Sequence, residues 1–226
     1  MNDSSNNSNS DEGEEHGELV WNEFDWERYL RQRDEAVIAY RQCYDGVAEP
    51  ADRLDEVARQ LGWEPTLDGE IDGDDDDNED FDDDLDPYTL HRNPVYVATR
   101  ALFAGVASLV QESAVSAGGL APAPAIALLK ALHEAEMSVV LGVQSLDLGD
   151  SALGISQLKR ALSQLNASMA KLPDASAQPE DKAVPAAEAL RLQVLPRIFD
   201  LREICLRVIR ECRQELQHPL DDEDQQ

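Results

Sequence analysis

Basic residues and cysteines are both scarce in this sequence, and each shortage excludes a class of protein. The chain has 19 Lys and Arg residues against 47 Asp and Glu, and its formal net charge at pH 7 is −28. DNA, RNA and anionic membranes are bound through clusters of Lys and Arg, so we expect no direct nucleic-acid or membrane ligand. The three cysteines, Cys43, Cys205 and Cys212, include no CxxC pair. They are predicted to be reduced thiols.

Long apolar runs are also missing. The first 18 residues are rich in Ser, Asn and Glu and have neither the basic nor the apolar region of a signal peptide. The uncharged apolar stretch at residues 101–111 is too short to cross a bilayer and ends at Glu112. We therefore predict a soluble, cytoplasmic protein.

Strand patterns are absent too, because no run of alternating β-branched or aromatic residues lies between turn signals. Helix signals are frequent after residue 87. Asn93-Pro94, Asp150-Ser151 and Pro185 are suitable helix starts, and Gly118, Pro173 and Pro219 are suitable stops. One helix carries apolar residues in steps of three and four, as coiled coils do: Ile155, Leu158, Leu162, Leu165, Met169 and Leu172. The pattern predicts an all-α fold, an antiparallel up-down-up-down four-helix bundle preceded by a short helical pair and an acidic linker.

The charge distribution divides the chain into five parts. Residues 1–86 contain 30 acidic residues, six Arg and no Lys, whereas residues 87–220 contain 13 acidic and 13 basic residues. Within residues 64–86, 14 of 23 are acidic, and such a segment repels itself. We predict a disordered acidic tail over residues 1–18, an aromatic helical pair over 19–63 and a flexible acidic linker over 64–86. The four-helix bundle follows over 87–220, and a second acidic tail over 221–226.

Aromatic residues are concentrated in the predicted helical pair. Seven of the 12 lie between residues 21 and 63, and after Phe103 only Phe199 follows. The pair is predicted as a helix from Asp25 to about Tyr44 and a second helix between Pro50 and Gly62, which together cannot bury so many rings alone. The pair must therefore dock on the bundle, on a second copy or on a partner. The candidate interaction residues are Trp21, Phe24, Trp26, Tyr29 and Leu30.

Three polar residues lie on the most apolar helices of the predicted bundle: Glu112, His133 and Glu136. If they point inward, they form a polar core that favours a metal-dependent bundle enzyme using interior carboxylates and histidine. If they lie at a helix edge, they are ordinary solvated residues. No nucleophile triad, Gly-rich phosphate loop or complete metal motif is present. We therefore expect no catalytic residues and no cofactor or metal.

Two further charge patterns remain. The alternating acids of residues 72–84 resemble a calcium loop, but Asp77 stands where that loop needs Gly, so only weak, non-specific cation binding is expected. Arginines of the last helix either form a solvated mixed face or receive carboxylates of the acidic linker or of a partner: Arg197, Arg202, Arg207, Arg210 and Arg213. The favoured prediction is a non-enzymatic protein-interaction or structural module that binds a protein partner or itself. The metal-dependent enzyme is the alternative.

Overall fold

A computed structural model describes residues 21–47, 52–63, 89–116, 118–172 and 184–217. Within these ranges the protein is all-helical, with 87% of the residues in helices and no strand. The predicted acidic parts, 1–18, 64–86 with its cation-binding run, and 221–226, lie outside the described residues.

The helical pair consists of α1 (Glu23–Gly46) and α2 (Arg53–Gln60). Helix α1 begins two residues earlier than predicted, because Asn22 is its N-cap. The Asn22 side chain accepts hydrogen bonds from the amides of Phe24 and Asp25, and the Asp25 carboxylate accepts one from the Asn22 amide at 3.0 Å. This reciprocal capping box satisfies backbone donors that a helix start leaves free.

Four longer helices follow a short 3-10 helix at Leu90–Arg92: α3 (Pro94–Val115), α4 (Pro122–Asp147), α5 (Ser151–Met169) and α6 (Val184–Gln217). The predicted starts of α3 and α5 are confirmed, and α6 begins one residue before the predicted Pro185. Asn93 caps α3 by accepting from the Val95 amide at 2.9 Å, and Asp150 caps α5 by accepting from the Leu153 amide at 2.9 Å. Helix α6 continues through Pro196.

The four long helices contact one another in a closed order: α3 packs on α4, α4 on α5, α5 on α6, and α6 on α3. Their facing sides form one apolar core. The predicted seam of α5 is confirmed, because Ile155, Leu158, Leu165 and Leu172 are buried and the other two members pack against the core. On α6 the matching buried row is Ile198, Leu201, Cys205, Val208 and Cys212.

Helices α4 and α5 approach most closely where two glycines face each other. A Cβ atom added to Gly142 would lie 3.0 Å from Leu158 Cγ, and one added to Gly154 would lie 2.5 Å from Leu146 Cδ2. The absence of side chains at these two positions is what lets the helix axes come together.

Helix α3 is the one helix in the described ranges that is long and apolar enough to cross a membrane, with a mean hydropathy of 1.2 over its best window. Half of that window is buried inside the protein. Burial of this kind is consistent with the core helix of a soluble protein.

The helical pair packs on the long helices, with α1 lying along α3. Tyr40, Tyr44 and Val57 of the pair belong to the same buried core as α3–α6. Of the candidate interaction residues on α1, Tyr29 is buried, whereas Trp26 and Leu30 are each 38% exposed. Tyr40 and Tyr44 are the other buried residues of this helix.

Candidate interaction site

The first turns of α1 carry a compact aromatic group formed by Trp21, Trp26 and Tyr29, called here the aromatic cluster. The ring centroids of Trp21 and Trp26 are 5.1 Å apart, those of Trp21 and Tyr29 are 5.4 Å apart, and the Trp26 and Tyr29 rings are perpendicular at 6.0 Å. Edge-to-face and tilted pairs at these distances are attractive beyond the area that they bury. The three rings therefore hold one another in fixed orientations.

Tyr29 ties the aromatic cluster to the rest of the protein. Its side chain is buried, and its hydroxyl shares a hydrogen bond with the Thr89 hydroxyl, at the start of the 3-10 helix. The guanidinium carbon of Arg33 lies 4.9 Å from the Tyr29 ring centroid, a cation–π contact. Tyr29 is therefore an internal anchor of α1.

The other predicted interaction residues differ from Tyr29 in exposure. Phe24 is 72% exposed, and Trp26 and Leu30 are half-exposed on the same side of the helix, because they are four residues apart. Trp21 is partly buried. The structure thus brings Trp21, Trp26 and Tyr29 together, leaves Leu30 beside Trp26, and places Phe24 farther round the helix.

A second anchor, which the sequence gave no direct sign of, fastens the end of α1 to the middle of α6. The buried Tyr44 hydroxyl donates a hydrogen bond to Asp200 Oδ2, and Arg53 of α2 donates one to the Tyr44 hydroxyl at 3.0 Å. The guanidinium carbons of Arg53 and Arg197 lie 4.8 and 5.4 Å from the Tyr44 ring centroid. Trp63, after α2, stacks on the neighbouring Tyr40 with centroids 5.5 Å apart.

Burial dominates the electrostatics of this anchor. Burial raises the pKa of Tyr44, and the hydrogen bond to Asp200 adds to the rise, so the hydroxyl stays protonated as a donor. Burial also raises the pKa of Asp200, although the hydrogen bond from Tyr44 and the charge of Arg53 act the other way. These two partners thus oppose the effect of burial on the Asp200 carboxyl.

Two ion pairs flank the anchor on α6. Arg197 pairs with Asp45 at the end of α1, and Arg207 pairs with Asp55 of α2. The hydrogen bond from Arg207 lowers the pKa of Asp55. Carboxylates from the helical pair thus pair with two of the five α6 arginines that were named from the sequence. The alternatives drawn from the sequence were a solvated mixed face or carboxylates of the acidic linker or of a partner.

The predicted polar core of Glu112, His133 and Glu136 was wrong. Glu112 and His133 are exposed, because they lie on the solvent sides of α3 and α4. Only Glu136 is largely buried, and it pairs with Arg100 of α3, while His133 Nδ1 lies 3.8 Å from its second oxygen. In the described ranges no group of three or more His, Cys, Asp or Glu side chains is arranged to hold a metal ion.

The Arg100–Glu136 pair belongs to a polar cluster beside the aromatic cluster. Burial raises the pKa of Tyr96, and burial lowers the pKa of His91 although Asp34 acts in the opposite direction. The His91 and Tyr96 rings meet edge to face at 5.2 Å. Burial keeps the imidazole neutral near pH 7, so this cluster closes the junction of α1 with α3 and α4 by packing and ion pairing.

The cysteines offer no reactive thiolate in the core. Burial raises the pKa of Cys205 to about 12, and Cys212 is buried beside it on α6. A thiol that is neutral and shielded from solvent is a poor nucleophile. The described residues instead present exposed apolar and aromatic side chains on α1, a helix that is hydrogen-bonded to other elements near both of its ends.

Comparison with protein-family models, with curated proteins and with solved structures finds no match to this chain.

Proposed function

We propose that this chain is a non-enzymatic, cytoplasmic protein-interaction module. Its scaffold is an antiparallel up-down-up-down four-helix bundle, α3–α6, and the helical pair α1–α2 presents the binding surface. The closed order of helix contacts and the short connections from α3 to α5 support the bundle topology.

One observation carries the proposal: Trp26 and Leu30 are half-exposed on a helix that cannot easily retract them. Tyr29 is hydrogen-bonded to Thr89 and Tyr44 to Asp200, so both ends of α1 are fastened. A large aromatic and an aliphatic side chain held side by side on a fixed helix lose little conformational entropy when a partner covers them. Trp is also among the residue types that dominate binding energy in protein interfaces.

We call Trp26 and Leu30 the α1 surface. Its occupant is a protein with an apolar recess, or a second copy of this chain. Fully burying one such side chain contributes roughly 1.5–3 kcal/mol, so two of them suffice to select a partner.

The proposal is tested by quantitative affinity purification with three full-length baits: the wild type, Trp26→Ala/Leu30→Ala, and the control Ile38→Ala. Ile38 is 55% exposed on the same helix but is not part of the α1 surface. We expect a defined set of proteins that the wild type and the control retain and the double variant loses at least tenfold. Equal recovery with all three baits would remove the α1 surface from the proposal.

A further inference from the structure

Helix α6 presents three faces, and one of them is not packed against any other helix in the described part of the chain. Its inner row packs into the core. A second side, with Arg197, Asp200 and Arg207, faces the helical pair. The third side carries Leu192, Phe199 and Leu206, which are 68%, 51% and 41% exposed. We call this third side the outer face of α6.

The apolar residues of the outer face repeat every seven positions. Seven residues are close to two helical turns, so Leu192, Phe199 and Leu206 form one line along the helix. At 1.5 Å per residue the line is about 21 Å long. A seven-residue apolar repeat on a helix surface is the pattern that a second helix covers in coiled coils.

Beyond Phe199 the outer face is bordered by arginines. Arg202 lies with its guanidinium carbon 5.9 Å from the Phe199 ring centroid. A shallow groove of about 380 Å³ follows, lined by Leu206, Ile209, Arg210, Arg213 and Gln214. Arg210 and Arg213 are exposed, and neither forms a salt bridge with an acidic residue of the described ranges. On a chain of net charge −28 this is a local concentration of positive charge on apolar surface.

We infer that the outer face of α6 binds an acidic amphipathic helix of a second protein. Such a helix supplies apolar residues at the same seven-residue spacing and carboxylates opposite Arg202, Arg210 and Arg213. This surface is separate from the α1 surface, and the inference does not depend on the proposed function.

Charge and spacing favour this occupant over two others. A second copy of this chain would bring two arginine-bordered faces together and would add the repulsion of two strongly negative molecules. The chain's own acidic residues 64–86 have Leu67, Ile71, Phe81 and Leu85, but Asp74 and Asn78 occupy the central positions of that repeat, and Gly69 and Gly73 interrupt it. Glycine is a poor helix former, so this segment is a weak match.

The test uses a synthetic 21-residue helical peptide with Leu at the two apolar heptad positions and Glu at the flanking ones, and a matched peptide with Lys in place of Glu. Binding to the full chain is measured at about 0.15 M salt, where long-range repulsion is largely screened. We expect the Glu peptide to bind saturably and to change the chemical shifts of α6 residues. The Lys peptide should not bind. Arg210→Glu/Arg213→Glu and Leu206→Asp should each weaken it by about tenfold or more.

Matched controls are Arg160→Glu and Leu153→Asp, exposed residues of α5, which should leave the affinity unchanged, as should Trp26→Ala/Leu30→Ala. Equal binding of both peptides, or no saturation by about 1 mM, the upper range of weak binding, overturns the inference. Two further results would also overturn the inference. A dimer that Leu206→Asp dissociates would show that a second copy occupies the outer face. A tenfold gain in affinity for the Glu peptide with Phe81→Ser/Leu85→Ser would show that residues 64–86 of the same chain occupy it.

Discussion

The Tyr44 hydroxyl donates a hydrogen bond to the Asp200 carboxylate, which lies 156 residues farther along the chain. This contact joins the end of α1 to the middle of α6. It fixes the helix whose other end presents Trp26 and Leu30. Internal tyrosines thus anchor α1 at both ends.

Replacing Tyr44 with Phe removes the hydroxyl from this contact and leaves the ring in place. The half-buried Asp200 then keeps Arg53 as its ion-pair partner at 3.9 Å, together with the nearby charge of Arg197. We expect the free energy of unfolding to fall by about 1–3 kcal/mol, the usual consequence of removing one partner from a buried polar group. Urea titration measures it. In a double-mutant cycle with Asp200→Ala, additive effects would show that the two residues are not coupled.

The Asp55–Arg207 pair predicts a pH dependence of stability. The hydrogen bond from Arg207 lowers the pKa of Asp55 in the folded state. A lowered carboxyl pKa stabilises the folded protein above the ordinary Asp range, and this contribution is lost as pH falls through the folded-state pKa. The urea midpoint of Asp55→Asn should therefore lie below the wild-type midpoint near pH 6, and the gap should narrow as pH falls towards about 3.

The control for this series is Glu35→Gln, at an exposed residue of α1. The difference between its urea midpoint and that of the wild type should change little with pH. If the difference in urea midpoint between the wild type and Asp55→Asn widens as pH falls, Arg207 does not stabilise the ionised carboxylate.

Two helix glycines should respond to Ala with opposite signs. A Cβ atom at Gly105 would meet Arg41 and Arg197 at 3.8 Å, an ordinary contact, whereas one at Gly154 would meet Leu146 at 2.5 Å. Gly105→Ala should stabilise the protein by about 0.5–1 kcal/mol through helix propensity. Gly154→Ala should destabilise it by about 1–2 kcal/mol, because overpacking exceeds that gain. Thermal unfolding of both variants measures the two effects. If Gly154→Ala stabilises the protein as much as Gly105→Ala does, α4 and α5 can move apart at little cost in free energy.

How much of this was predictable depends on how local each feature is. The starts of α3 and α5 follow from Asn93-Pro94 and Asp150, whose capping involves residues within three positions. The α5 seam follows from periodicity alone. The exposure of Trp26 could not be predicted, because Trp26 and the buried Tyr44 are 18 residues apart, five full helical turns, and so lie on the same line of α1. Docking on distant helices decides which of the two is buried.

The contacts between the helical pair and α6 could not be predicted for the same reason. The sequence identified arginines on the last helix but did not name the helical pair as the source of their carboxylates. Asp45 and Asp55 reach Arg197 and Arg207 only after α1 and α2 dock. The polar core failed because half a turn of helix, about two residues, separates an inward from an outward side chain, and Glu112 and His133 face outward.

The long helices are still predicted to fold without the acidic third of the chain. A variant beginning at Asp86 keeps α3–α6 but loses Tyr40, Tyr44 and Val57 from the core. We expect a cooperative helical transition by circular dichroism, with a melting temperature below that of the full chain because the helical pair no longer covers α3. Loss of cooperativity would move the domain boundary, because the helical pair would then be indispensable to the core.

The most direct test of the account places a photo-crosslinking amino acid at Leu30 in the full chain, with the same amino acid at Ile38 as the matched control. Both positions are exposed on α1, but only Leu30 adjoins Trp26. On irradiation in cells we predict a discrete crosslinked product at Leu30, to another protein or to a second copy, and none at Ile38. Equal products at both positions, or none at either, would contradict the claim that α1 is held in place to present Trp26 and Leu30 to a partner.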